Sequence, residues 1–76
     1  MVRELDTVVL THDIEEFKLK RGDVGAVVHC YPGETSFEVG FVTGEGKTTA
    51  VLTLAQAEIR PMDKGEILHA REIQPA

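Results

Sequence analysis

The sequence predicts an all-β domain of five short strands, on two observations. β-Branched residues gather in runs that glycine, proline and charged residues interrupt about every eight to twelve positions, the spacing of a small sandwich or barrel. Within one run the alternation is strict, with Phe37, Val39 and Phe41 on one face and Glu38 and Gly40 on the other. A chain of 76 residues fits one domain, because at this size folding buries only about 60% of the surface of the unfolded chain.

The first strand is expected over Thr7–Thr11. The second runs from Val24 to Tyr31, launched by the Arg21-Gly22-Asp23 turn and ended by Pro32-Gly33. In that turn Gly22 can supply a positive φ and Asp23 can accept from nearby backbone amides, while Gly25 permits the close backbone approach that rolling a small sheet demands. The third strand is Ser36–Val42, and Thr43-Gly44-Glu45-Gly46 joins it as a hairpin to a fourth over Thr48–Leu54. Leu54-Ala55-Gln56-Ala57 suits one 3₁₀ turn, and Glu58-Ile59-Arg60 makes a brief last strand stopped by Pro61.

Between the first two strands lies a charged excursion, His12 to Lys20. Ile14, Phe17 and Leu19 are its expected apolar anchors, with Asp13, Glu15, Glu16, Lys18 and Lys20 left in water. The expected core is Val8, Leu10, Val24, Ala26, Val28, Phe37, Val39, Phe41, Leu52, Leu54 and Ile59. Residues 1–61 form the barrel and residues 62–76 a tail, in which only Ile67, Leu68 and Ile73 are strongly apolar. Asp63 followed by Glu66 is a weak helix-start signature that Gly65 weakens further, so the tail either docks as a short element or frays.

Thirteen acidic against eight basic residues give a net charge of −5, which repels a phosphate backbone over much of the surface and disfavours general nucleic-acid binding. A single cysteine, Cys30, allows no intramolecular disulfide and no Cys-based zinc site, which fits a reducing compartment; its expected place is as a small buried hydrophobe in the second strand. The N-terminal segment has acids where a signal peptide needs a basic region and a long apolar run, and the apolar stretches fall far short of the ~20 residues of a membrane helix. The expectation is a cytoplasmic protein with no membrane contact.

The segments Leu5-Asp6-Thr7-Val8-Val9-Leu10, Leu19-Lys20-Arg21-Gly22-Asp23-Val24-Gly25-Ala26-Val27-Val28-His29 and Tyr31-Pro32 resemble an uncharacterised family of small bacterial proteins, a domain of unknown function. Phe37-Glu38-Val39 with Phe41, and Leu52-Thr53-Leu54 ahead of Ile59-Arg60-Pro61, extend the resemblance to residues 5–61 and leave the tail unmatched. The resemblance implies an SH3-like barrel. The chain departs from the family pattern at Gly40, where a glutamate is expected; a β-bulge is the expected reason, and any acidic surface shared with the family is in doubt there.

Candidate chemistry is sparse. Gly44-Glu45-Gly46-Lys47-Thr48 imitates a phosphate-binding loop, but that motif needs a glycine at position 41, which is Phe41, and a following helix. His12, His29 and His69 show no helical pairing, and His29 and Cys30 are strand neighbours pointing to opposite faces, with His29 toward solvent. Cys30 sits in apolar surroundings that disfavour a reactive thiolate, and Ser36 has no implied base. Lys18, Lys20 and Arg21 form the one basic cluster, interleaved with Glu15, Glu16 and Asp23 and poor in stacking aromatics.

The composite expectation is a five-stranded SH3-like barrel that is not an enzyme, with no cofactor, no metal ligand and no catalytic residue. It acts as a protein-interaction module, with regulation or neutralisation of a co-encoded partner protein as one form of that role. The alternative is a small RNA-associated barrel. The expected binding surface joins the His12–Lys20 excursion to the Tyr31–Ser36 turn, with Asp13, Glu15 and Glu16 steering a basic partner and Tyr31 as the aromatic contact.

Overall fold

The computed structural model describes residues 2–33 and 35–73. It contains β1 (Thr7–Leu10), β2 (Val24–Cys30), β3 (Ser36–Val42), β4 (Thr48–Ala55) and β5 (Ile59–Pro61), with 3₁₀ turns at Glu15–Phe17 and Gln56–Glu58. All neighbouring strands are antiparallel, in the order β4-β3-β2-β1-β5. A β2-β3-β4 meander with β1 returning beside β2 and β5 beside β1 is an SH3-like arrangement, here rolled but open between β4 and β5. No helix among the described residues is long and apolar enough to cross a membrane.

The expected elements shift by a residue or so at their ends. β1 stops at Leu10 and β2 at Cys30, β4 continues to Ala55, the second 3₁₀ turn slides to Gln56–Glu58, and Pro61 closes β5 as its last residue. Pro61 fits there because β5 is an edge strand, where a residue without an N–H leaves no ladder position empty.

The core cluster is Val8, Leu10, Leu19, Val27, Phe37, Val39, Phe41, Leu54 and Ile59, with Ile14, Cys30, Ala50 and Leu52 packed partly buried against it. The β3 stripe of Phe37, Val39 and Phe41 is buried as its alternation requires. In β2 the expected phase is wrong. Val27 is fully buried, whereas Val24 is half-buried, Ala26 is exposed and Val28 is 50% exposed. The inward residues are Gly25 and Val27, so the phase signal is carried by a glycine that contributes no apolar side chain. Val28 is then the extra residue of a bulge, since Val27 pairs with Val39 but His29 pairs with Glu38. Beyond the bulge His29 faces out as expected and Cys30, opposite Phe37, is half-buried on the core side. A second register shift falls at Thr49, and Gly40 lies in register between Ala26 and Val51, so the bulges flank the position at which one was expected. Val9 is also buried, outside the core cluster, because β1 is flanked by β2 on one side and β5 on the other.

Gly25 is where the sheet is tightest. A Cβ built there would stand 2.8 Å from Phe41 Cε1, 2.8 Å from Val39 Cγ1 and 3.0 Å from the Gly40 carbonyl oxygen. One of those neighbours is backbone and the other two are central core side chains, so none can yield cheaply. Gly25→Ala should destabilise the fold by about 1–3 kcal/mol through overpacking. Phe41→Ala should cost about 3–5 kcal/mol, a large share of the roughly 4–11 kcal/mol expected for a domain of this length. Urea melts of both variants check this; parental midpoints would show that Phe41 and Gly25 are not in this contact.

Candidate functional site

The excursion between β1 and β2 is zipped at its base and at its tip. At the base the Leu10 amide donates to the Asp23 carbonyl (2.9 Å) and the Gly22 amide to the Leu10 carbonyl (3.0 Å), with Gly22 at a φ of 93°. At the tip Ile14 and Leu19 exchange both backbone hydrogen bonds, at 2.8 and 3.1 Å, around the Glu15–Phe17 turn, which Lys18 ends in the left-handed region. Leu19 is buried and Ile14 packs against the core, so two of the three expected anchors dock; Phe17 is 41% exposed and does not.

Two aspartates fix the shape between tip and base. Asp13 Oδ1 accepts from the Arg21 amide at 2.8 Å, and Asp23 Oδ2 accepts from the Lys20 amide at 2.7 Å. Each carboxylate is thereby held with oxygen lone pairs still available. The Asp23 carboxylate takes Arg71 from the tail: Arg71 Nε donates to Oδ1 at 2.9 Å and Nη2 to Oδ2, while Nη2 also donates to the Lys18 carbonyl at 3.0 Å. Burial works to raise the Asp23 carboxyl, but the hydrogen bonds from Arg71 and the Lys20 amide outweigh it and hold it below the ordinary range. The same contact raises the Arg71 guanidinium.

The tail reaches this position from a fixed starting point. Arg60 donates from Nη1 to Glu66 Oε1 at 2.8 Å and from Nη2 to Oε2 at 2.6 Å, and the Asp63 amide donates to Glu66 Oε1 at 2.7 Å. These bonds, that from Arg60 first, hold the Glu66 carboxyl down to about 2. The Asp63/Glu66 pair thus shapes a turn and starts no helix. Further along, Ile73 packs against the core. A groove of about 590 Å³ lies between Leu68–Ile73 and the barrel surface of Leu19, Asp23, Phe41 and Gly44. A second, of about 390 Å³, lies beside it among Asp13, Glu15, Lys18, Lys20 and Arg71. Residues 74–76 of the tail lie outside the described residues.

Of the residues expected to bind a partner, Asp13 and Glu15 line the second groove and Glu16 is exposed on the 3₁₀ turn next to it. Tyr31 lines neither groove. It is half-buried on the outer face of the sheet, its hydroxyl donating to Glu38 Oε2 at 3.2 Å and its ring edge-on to His29 at 4.7 Å. Glu38 Oε1 accepts from the Thr53 hydroxyl at 2.8 Å, and His29 Nδ1 lies 3.6 Å from Glu4 Oε2, so these side chains form a polar row across β2, β3 and β4. Residue 34 of the Tyr31–Ser36 turn is outside the described residues. Asp23 and Arg71 are the site residues that sequence reasoning passes over. Arg71 is the one arginine in residues 62–76, with an isoleucine two positions on, and that pairing is the signal available.

The matched family bears on the barrel. The domain of unknown function DUF4926 matches over residues 4–61. The chain belongs to the DUF4926 family. The match ends with β5, so the DUF4926 region contains Asp13, Glu15 and Asp23, and Arg71 lies beyond it. No curated protein and no solved structure is significantly similar to the chain.

Because the folded-state Asp23 carboxyl is depressed, the ion pair contributes stability that is present above the unfolded carboxylate value of about 3.9 and lost as pH falls through the lower folded value. Arg71→Ala should therefore lower stability by about 1 kcal/mol near neutrality and by less below about pH 3. Urea melts across that range test it; a deficit independent of pH would show that the arginine acts through packing alone.

Proposed function

We propose that the chain is a non-enzymatic protein-interaction module, and that the groove between the excursion and the β3–β4 turn receives an extended, arginine-bearing segment of its partner. One observation carries this reading: the chain's own tail lies there, with Arg71 gripped by the Asp23 carboxylate and the Lys18 carbonyl and Ile73 seated on the core. A planar guanidinium held by a carboxylate and a carbonyl is a recognition geometry that fixes direction as well as charge. Asp13 and Glu15 alongside add negative potential that favours approach of a basic segment. Regulation or neutralisation of a co-encoded protein is one form such a role takes. The basic residues Lys18, Lys20 and Arg21 are interleaved with these aspartates, which supports a protein ligand over RNA.

On this reading the tail competes with the partner, and two variants move affinity in opposite directions. Arg71→Ala frees the groove and tightens binding; Asp23→Asn removes the carboxylate and weakens it by about tenfold or more. Glu15→Lys with Glu16→Lys slows association and reduces its salt dependence. Surface plasmon resonance on the partner recovered with the full-length chain reads all three. Parental kinetics for every variant would place the binding surface elsewhere.

A further inference from the structure

The tip of the excursion holds a backbone conformation that its sequence does not favour. Lys18 has φ 62° and ψ 27°, in the left-handed region, and Lys18 and Leu5 are the described non-glycine residues of positive φ. Glycine or asparagine is the ordinary residue there, because a Cβ crowds the following carbonyl in that region. The tip imposes it on a lysine. Ile14 and Leu19 exchange both backbone hydrogen bonds, so the chain must reverse within Glu15, Glu16, Phe17 and Lys18, and a right-handed turn followed by one left-handed residue does so. The Lys18 amide is used inside the turn, donating to the Glu15 carbonyl at 3.1 Å. Its carbonyl is taken by none of the described backbone amides and accepts from Arg71 Nη2 at 3.0 Å.

We infer that Lys18 is the specificity-determining residue of this groove: its left-handed backbone aims a carbonyl at the guanidinium, and that carbonyl makes the site select arginine over lysine. The two oxygens of Asp23 by themselves would accept from either cation. With Nε on Oδ1 and one hydrogen of Nη2 on Oδ2, the second hydrogen of Nη2 points away from the carboxylate, and there the Lys18 carbonyl receives it. An ammonium carries all its donors on one nitrogen and cannot meet both oxygens side by side together with the carbonyl beyond them. Both acceptors are fixed by bonds within the excursion, Asp23 by the Lys20 amide at 2.7 Å and Lys18 by the Ile14–Leu19 bridge, so they stand in place for whichever arginine arrives. The extension to a partner's arginine rests on the proposed function, whereas the tail's own Arg71 makes the selectivity measurable without a partner.

The test uses the full chain, with the methyl resonances of Ile73 reporting how far the tail is docked on the core. In the parent, Arg71→Lys should lower the ratio of docked to free tail by about tenfold, the loss of one hydrogen bond to a charged group. Lys18→Gly and Lys18→Asn, which accept a positive φ, should keep that difference between arginine and lysine at position 71. Lys18→Val and Lys18→Pro should abolish it, because a β-branched residue resists positive φ and proline cannot adopt it. Backbone carbon shifts at residue 18 give the sign of φ in each variant. Overall stability is not the readout, since any change at a tight turn can lower it. No preference for arginine in the parent, or a preference that fails to follow the sign of φ across the four variants, would overturn the inference. Partner kinetics indifferent to Asp23→Asn would instead sink the proposed binding surface and leave the selectivity for Arg71 as measured.

Discussion

The structure depends on the passage of β2 over β3 at Gly25. A Cβ at this position would stand 2.8 Å from the Phe41 and Val39 side chains, so only glycine lets the β2 backbone lie this close to them, and that approach is what allows the sheet to curl around the Phe37-Val39-Phe41 stripe. A flat three-stranded meander would leave the stripe half in water. The curl also sets the neighbours of Gly25: β1 is drawn against β2 through the Val8–Gly25 pair, and Asp23, two residues earlier, is fixed at the mouth of the roll. The two bulges, at Val28 and Thr49, then adjust the twist of β2 and β4 on either side of β3.

Asp23 links the fold to the candidate site because its carboxylate serves two ends. Oδ2 accepts from the Lys20 amide and so closes the turn that starts β2, and the carboxylate so placed also takes Arg71 from outside the turn, Nε on Oδ1 and Nη2 on Oδ2. A carboxylate already ordered by a local hydrogen bond loses little side-chain entropy on meeting a guanidinium, which separates this pair from an ordinary surface ion pair. The Arg60–Glu66 pair does the corresponding work on the tail by fixing where it leaves β5.

Legibility in the sequence follows the range of the interactions. β3 is legible to the residue, because alternation and flanking turns are local signals, and so is the Gly22-Asp23 turn, whose requirements are met within four residues. The inward phase of β2 is not, because in Val24-Gly25-Ala26-Val27-Val28 apolar residues occupy both phases and the decisive inward position is a glycine whose role lies in a contact with β3. Leu19 is legible as an anchor, but Phe17 beside it is not distinguishable from one, since only the 3₁₀ turn rotates it outward. Of the site, the acids of the excursion are visible as charge. The meeting of Asp23 with Arg71 spans 48 positions and has no local signature, and Tyr31, a plausible contact by type, is committed to Glu38 across the strand pair.

The open roll also constrains what could replace the tail. With no β4–β5 ladder to seal it, the end of the core near Leu19 and Phe41 relies on cover from outside the sheet, and Ile73 provides it. A partner that displaced Arg71 alone would strand Ile73 between two states and leave apolar core surface wet, a loss that a single ion pair in partial contact with water does not offset. Effective competition therefore needs both functions in one ligand: a guanidinium for Asp23 and the Lys18 carbonyl, and an aliphatic side chain two residues later, on the same side of an extended segment. A lysine in the arginine's place would bring its donors on one nitrogen and could not grip both carboxylate oxygens side by side from two nitrogens while also meeting the carbonyl, so selectivity for arginine would come from the geometry of the turn itself, and charge alone would not supply it.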